Sequence, residues 1–238
     1  MSCYHPFLGT FDGEWTDRGK KKFNINGFVS AKDLENLKCI SPDHILVPCG
    51  KCIGCRLDYS RAWADRMMLE LETQKKAVFL TLTYDNEHLV DCNGEHKKFM
   101  EIQGYNRGSL YKRHLQLFMK SIRKAFANQD IKLRFYAVGE YGSWENTHRP
   151  HYHVVLFGVG LDDFVNKIEV GFNELKQPIY THACVSALWP HGFVSIGDVS
   201  WKSCAYVARY VTKKALDTQS DLMNEALSLN QTEYQELF

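Results

Sequence analysis

The stretch RPHYHVVLFG, residues 149–158, sets two histidines one residue apart at the head of an apolar run. Its β-branched and aromatic content reads as a strand. Residues two apart on a strand share a face, so His151 and His153 point one way and Tyr152 and Val154 the other. Upstream, KLRFYAVGEYG (132–142) reads as a second strand, and the turn-rich SWENTHRP (143–150) lies between the two. The pair is therefore predicted to form a hairpin, which brings Glu140 across from the histidines. Two imidazoles and a carboxylate on one face make a candidate site for Mg²⁺ or Mn²⁺ with open positions for water and phosphate oxygens. His148 and His191 compete as ligands, and an H-x-H pair by itself also occurs as ordinary hairpin histidines.

Working outward, AVFLTLTYD (77–85) reads as a strand and DYSRAWADRMMLELETQ (58–74) as a helix with Ala62, Met67 and Leu71 recurring. SLYKRHLQLFMKSIRKAFA (109–127) is an amphipathic helix whose apolar face is Leu115, Phe118, Met119, Ile122 and Phe126. ALWPHGFVSIGDVS (187–200) ends in a short strand, and WKSCAYVARYVTKKAL (201–216) is a helix. Residues 86–107 read as a loop, and residues 1–48, weakly periodic and rich in Gly, Asn and Lys, as an irregular arm. Helices alternate with strands, but the central pair is a hairpin. The expected fold class is α+β, with a central, mainly antiparallel sheet flanked by helices and a Cys-rich, metal-binding N-terminal arm. The expected division is an arm over 1–60, a main domain over 61–216 and an acidic tail over 217–238.

The chain has 238 residues, 45% hydrophobic and 24% charged, the balance of a soluble globular protein. No run reaches the length of a membrane span. MSCYHPFLGT lacks a charged region followed by an apolar one, so no secretory signal is expected and an intracellular protein is. The net charge is only +1, but five of the 28 acids and none of the 29 Lys and Arg follow Lys214. The body before the tail thus carries a surplus of six positive charges, which suits a polyanionic partner as well as an ordinary solvated surface.

Eight cysteines in such a chain read as free thiols or metal ligands. Cys49, Cys52 and Cys55 form C-x₂-C-x₂-C among Gly50 and Gly54, a spacing that gathers thiolates for tetrahedral Zn²⁺ or an iron–sulfur cluster. The spacing leaves the fourth ligand open among Cys3, Cys39 and His44. Such a site is structural and pins the arm to the following helix. Cys92, Cys184 and Cys204 read as ordinary thiols.

In the last helix, Tyr206 and Tyr210 lie four residues apart with Lys213 following, while Cys204, Ala208, Val211 and Ala215 form a small, apolar opposite side. Tyrosines at this spacing often only pack. Beside a metal that polarises a phosphate, they become candidate nucleophiles.

FLTLTYD (79–85), GEYGSWENTHRPHYHVVLFG (139–158) and YVARYVTKK (206–214), in that order, resemble the three motifs of HUH-type rolling-circle replication initiators. VPCGKCIGCR (47–56), LWPHGFVSIGDVS (188–200) and CYHP (3–6) further resemble the replication-initiation proteins of gokushovirus-type microviruses. The resemblance implies an antiparallel sheet with the His pair on a central strand and the tyrosine helix beside it. It implies a metal-dependent, site-specific nickase and ligase that forms a 5′-phosphotyrosine and a free 3′-hydroxyl on origin DNA. On it, His151, His153 and Glu140 hold the metal and Tyr206 and Tyr210 are the nucleophiles. Lys213 or Lys214 holds phosphate, Thr81 and Thr83 support the site or touch DNA, and Arg149 joins the DNA contacts. The family's early cysteine makes Cys3 the fourth zinc ligand. The implied partners are single-stranded origin DNA and the host helicase and replication polymerase, in the host bacterial cytoplasm, with no membrane. A different reading of the same features is a zinc-stabilised DNA-binding module without chemistry, which would need no tyrosines beside a metal site.

Overall fold

The structure, a computed structural model, describes residues 3–29, 44–90, 108–129, 131–142, 149–173 and 176–213. The chain divides into two compact units, Met1–Ala62 and Trp63–Phe238. The α+β class holds, with two antiparallel sheets and flanking helices.

The first unit corrects the expectation of an irregular arm. Strands β1 (Phe7–Trp15), β2 (Lys21–Phe28) and β3 (His44–Val47) form an antiparallel sheet in the order β2-β1-β3. These strands escape sequence reading for a physical reason. Polar and charged residues are interspersed, the β1–β2 register shifts between Phe7 and Gly9 and again between Phe11 and Trp15, and most of β2 is exposed. No clean alternation of apolar and polar residues survives. After β3 the chain enters the cysteine-rich turn and then helix α1 (Ile53–Gln74), which runs on into the second unit.

The second unit is built on a six-stranded sheet. Its strands are β4 (Ala77–Tyr84), β5 (Arg134–Tyr141), β6 (Pro150–Phe157), β7 (Ile168–Phe172), β8 (Pro178–Thr181) and β9 (Gly192–Gly197). They lie in the order β5-β6-β4-β9-β8-β7 and every pairing is antiparallel. The predicted β5–β6 hairpin is present, with Glu140 opposite His151. Strands β7 and β8 and the short helix α3 (Ala183–Leu188) carry no strong periodic signal in the sequence.

Helix α2 (Lys112–Ala125) covers one sheet face with Phe118, Met119 and Ile122, all buried, against Val78, Leu80, Leu82, Val154 and Leu156. The other face is covered by Ala64 and Met67 of α1 and by helix α4 (Trp201–Lys213). Strand β6 is sandwiched on both sides, which explains its nearly unbroken apolar run. Each fully buried aliphatic side chain here contributes about 1.5–3 kcal/mol.

Two local features place α4. Ser200 and Ser203 cap its start reciprocally: each backbone N–H donates to the other's hydroxyl oxygen, at 2.9 and 3.2 Å. Trp201 Nε1 donates to Asp65 of α1 at 2.8 Å. Cys204, Val207 and Ala208 are fully buried, and their small size lets the helix lie close on the sheet. Cys204 and Ala208 stand where the sequence reading puts the packing side; Val207 joins them. At the other end of β4, Gly192 has φ +146°, and a Cβ there would run into the carbonyl oxygen of Thr83. Only glycine lets β9 close on β4 at that point. No helix among the described residues is long and apolar enough to cross a membrane.

Candidate active site

Cross-strand partners share a face, so the register of four strands lays out the site in rows. Glu140 of β5, His151 of β6, Thr83 of β4 and Phe193 of β9 form one row. Val138, His153, Thr81 and Ser195 form the next. The α4 face of the sheet thus carries all the metal and threonine candidates of its strands together.

Glu140, His151 and His153 converge. The two Nε2 atoms are 3.2 Å apart, and Glu140 Oε2 lies 3.5 Å from His151 Nε2 and 3.2 Å from His153 Nε2. Octahedral bonds of about 2.1 Å place adjacent ligand atoms about 3 Å apart, so the donor set fits one face of such a shell. The group is one of two in the described residues able to hold a metal.

Each ring is turned by a bond at its other nitrogen. His151 Nδ1 lies 2.9 Å from the carbonyl oxygen of Arg149, which can only accept, so Nδ1 carries the proton and Nε2 the lone pair. His153 Nδ1 lies 3.1 Å from Thr81 Oγ1, which can take the same role. Burial holds the His153 imidazole below its ordinary pKa, against the upward pull of its hydrogen bond to Glu140. A neutral ring is the form that ligates.

Tyr206 completes the group from above. It is half-buried, and its ring stands edge-on to that of His153 with centroids 5.3 Å apart and 76° between planes. Tyr210 lies four residues further along α4, and Lys213 is the last residue of that helix. Lys214, His148, Cys39, Cys92 and the segment 217–238 lie outside the described residues.

The remaining candidates divide. His191 is not part of the metal group; it stacks on His114, with centroids 3.7 Å apart, beside Tyr84 and Trp189 on the opposite side of the sheet. Arg149 donates to the Tyr84 carbonyl at 2.8 Å and to Asn86 Oδ1 at 2.6 Å, so its guanidinium ties the β6 entrance to the end of β4. Its carbonyl, which orients His151, escapes sequence reading because a main-chain oxygen leaves no mark in a sequence. Phe193, 68% exposed beside Thr83, is missed for another reason: only the β4–β9 pairing brings it there.

In the first unit, Cys3 joins Cys49, Cys52 and Cys55, with all four sulfurs within 4.8 Å of one another. Cys49 Sγ to Cys55 Sγ and Cys52 Sγ to Cys3 Sγ are both 3.9 Å. Tetrahedral Zn–S bonds of about 2.3 Å require sulfurs about 3.8 Å apart, so the set fits. Backbone N–H groups of Cys49, Cys52 and Tyr4 donate to the sulfurs of Cys3, Cys49 and Cys52 at 3.3, 3.3 and 3.4 Å. Burial raises the Cys52 thiol, but backbone N–H groups of Cys55 and Tyr4 outweigh it and bring it down to about 6. Burial, helped by the neighbouring sulfurs, pushes Cys55 up to about 12. Four sulfurs this close are stabilised as thiolates by a cation. His44 sits in β3, outside this group. Cys184 is exposed and Cys204 buried, as ordinary thiols are.

A six-stranded antiparallel sheet with two histidines on a central strand, a carboxylate on the next and a tyrosine helix across them is the architecture that the motif resemblance implies. The chain belongs to a family of phage replication-associated proteins, the ORF2/gene II protein family, whose model matches residues 77–215. It is 34% identical over 216 residues to a replication-associated protein ORF2 of Spiroplasma virus 4, covering 90% of this chain and 61% of that protein. It is 36% identical over 167 residues to the replication-associated protein VP4 of Bdellovibrio phage phiMH2K, covering 70% of this chain and 48% of the relative. With the replication-associated protein ORF4 of Chlamydia phage 1 it shares 28% identity over 190 residues, 79% of this chain and 43% of the other. The chain therefore spans about half the length of the curated relatives it matches. No solved structure matches it.

Proposed function

We propose that the chain starts rolling-circle replication of a small phage genome by nicking origin DNA with a tyrosine and later rejoining the strand. The observation that carries this is the placement of Tyr206 against His153, above a converged Glu140, His151 and His153, in a member of a replication-associated family. A DNA-binding module without chemistry would have no use for that convergence.

In the nicking step the phenolic oxygen of one tyrosine gives up its proton and bonds to the scissile phosphorus. The P–O3′ bond breaks, and the leaving oxygen takes a proton to become a 3′-hydroxyl. The 5′ end stays on the protein as a phosphotyrosine. A phenol with a pKa of about 10 is scarcely ionised at neutral pH, so the step needs electrostatic help. Glu140, His151 and His153 would hold Mg²⁺ or Mn²⁺, which when bound supplies Lewis-acid polarisation of a phosphate oxygen. Thr81 and the Arg149 carbonyl keep the two imidazoles aimed. Lys213 and Lys214 hold phosphate, and Thr83 and Arg149 line the approach of the strand. Tyr210 would attack the regenerated origin while Tyr206 still holds the first 5′ end, or the reverse. Rejoining runs the first step backwards, with a 3′-hydroxyl attacking the phosphotyrosine.

Cys3, Cys49, Cys52 and Cys55 would hold a structural Zn²⁺ that ties the start of the chain to α1. The setting is the host bacterial cytoplasm, with the host helicase and polymerase extending the 3′ end. The test is direct. Protein mixed with single-stranded origin DNA and Mg²⁺ or Mn²⁺ should yield a conjugate that survives denaturant. No conjugate with any strand of the phage genome would overturn the reading.

A further inference from the structure

We propose that the N-terminal sheet is a stacking platform for single-stranded DNA, separate from the tyrosine chemistry. The choice of DNA as occupant rests on the function proposed above; the site itself rests on the geometry of the first unit. The register places Phe11 opposite Phe23, Trp15 opposite Lys21 and Phe7 opposite Phe28. Phe7, Gly9 and Phe11 alternate along β1, as do Lys21, Phe23 and Ile25 along β2, and Ile45 of β3 faces Gly9. Five aromatic rings, two isoleucines and Lys21 therefore share one face.

That face is open. Trp15 is 65% exposed, Phe28 69% and Ile25 58%, with Phe11 and Phe23 at 36% each. The rings are also ordered against one another. Phe7 and Phe28 stack with centroids 4.2 Å apart, and Phe11 and Phe23 are 5.0 Å apart. Gly9 is needed because the tip of the Phe23 ring occupies the space of any side chain there.

Charge selects the occupant. Lys21 stands on the aromatic face opposite Trp15, and Arg18 and Lys20 lie in the adjoining turn. Lys22, on the other face, is paired at 2.9 Å with Glu14. Among the described residues, no carboxylate holds a paired register position on the aromatic face. Exposed rings that offer π-faces, with cations at the edge for phosphates, are the recognition chemistry of an unpaired nucleic-acid strand. A protein partner would more commonly meet aliphatic side chains, and duplex DNA keeps its bases stacked on one another.

The test measures binding of the full chain to a fluorescein-labelled oligothymidylate of about 15 nucleotides, by anisotropy at low salt without chelator. The strand carries no origin, so the outcome does not depend on nicking, and failure to nick leaves this proposal standing. Trp15→Leu and Phe28→Leu should each weaken binding about tenfold, the scale of losing one base–aromatic stack. Trp15→Phe and Phe28→Tyr, which keep the ring, should stay close to the parent protein. Lys21→Glu should weaken binding and flatten its salt dependence. Circular dichroism and bound metal per chain verify that each variant is folded. Leucine variants that bind as tightly as the parent would overturn the proposal, as would equal losses for the ring-keeping and leucine variants. So would a parent protein that sediments as a dimer and a Trp15→Leu variant that sediments as a monomer with unchanged affinity for the strand, because the face would then seal against a second copy.

Discussion

The ring of Tyr206 meets the ring of His153 edge-on at 5.3 Å, and it does so across the gap between the last helix and the central strand. The two residues are far apart in sequence and come from elements with different periods. Their contact puts a phenol next to the nitrogen-rich end of the sheet. It also means that the helix cannot slide without disturbing the imidazole, since Cys204, Val207 and Ala208 lock it onto the strands from below.

The tyrosines should therefore be separable by substitution. Tyr206→Phe and Tyr210→Phe should each retain some cleavage of a short origin oligonucleotide, and the double variant should retain none. Mass spectrometry of the trapped conjugate is expected to find DNA on one of these two residues. DNA on any other tyrosine would reject the assignment.

Removing either imidazole should stop the chemistry while sparing most of the fold. For His151→Ala and His153→Ala, nicking should fall on the order of a hundredfold or more, the scale of losing a preorganised electrostatic group. Thermal unfolding should show a loss of about 1–2 kcal/mol at most. Full activity in either variant, with chelator also harmless, would count against the metal assignment.

Thr81 offers a finer probe. Its hydroxyl lies 3.1 Å from His153 Nδ1, so Thr81→Val keeps the shape and removes the bond. Affinity for Mn²⁺ should drop about 10–100-fold, while Thr81→Ser restores it. Titration calorimetry with Mn²⁺ reads this without DNA. Equal affinities in the Val and Ser variants would show that the hydroxyl does not orient the ring.

The cysteine group should carry about one zinc per chain, independent of the divalent site. Cys52→Ser is expected to release it and to make residues 1–55 sensitive to protease. Elemental analysis of purified protein that finds neither zinc nor iron would contradict this.

Gly192→Ala adds a methyl group at φ +146°, pressed against the carbonyl of Thr83. The strain should cost about 1–3 kcal/mol and lower Tm by roughly 3–10 °C. Since Thr83 shares a row with His151, cleavage should fall as well. A variant as stable as the parent would show that the strand pairing yields easily there.

Much of the site is legible from local pattern. Strand alternation puts His151 and His153 on one face, the turn-rich segment after Gly142 brings Glu140 opposite them, and the helix that follows Ser200 carries the two tyrosines. The C-x₂-C-x₂-C spacing announces a thiolate cluster. What the motif spacing leaves open is the partner of each group. Cys3 is 46 residues from Cys49, and only the folded first unit, not the spacing, brings its sulfur to 3.9 Å from that of Cys52. The bond from Thr81 to His153 spans 72 residues and exists because β4 is the strand that pairs with β6.

The division has one physical cause. Periods of two and 3.6 residues, short turns and cysteine spacings arise from the geometry of neighbouring residues, so the sequence displays them directly. Which strand lies beside which, and which helix covers which face, is decided by burying apolar surface on both sides of β6 at once. The open, aromatic N-terminal sheet shows the same limit: its residues alternate too irregularly for local reading, and only cross-strand pairing reveals that they share a face.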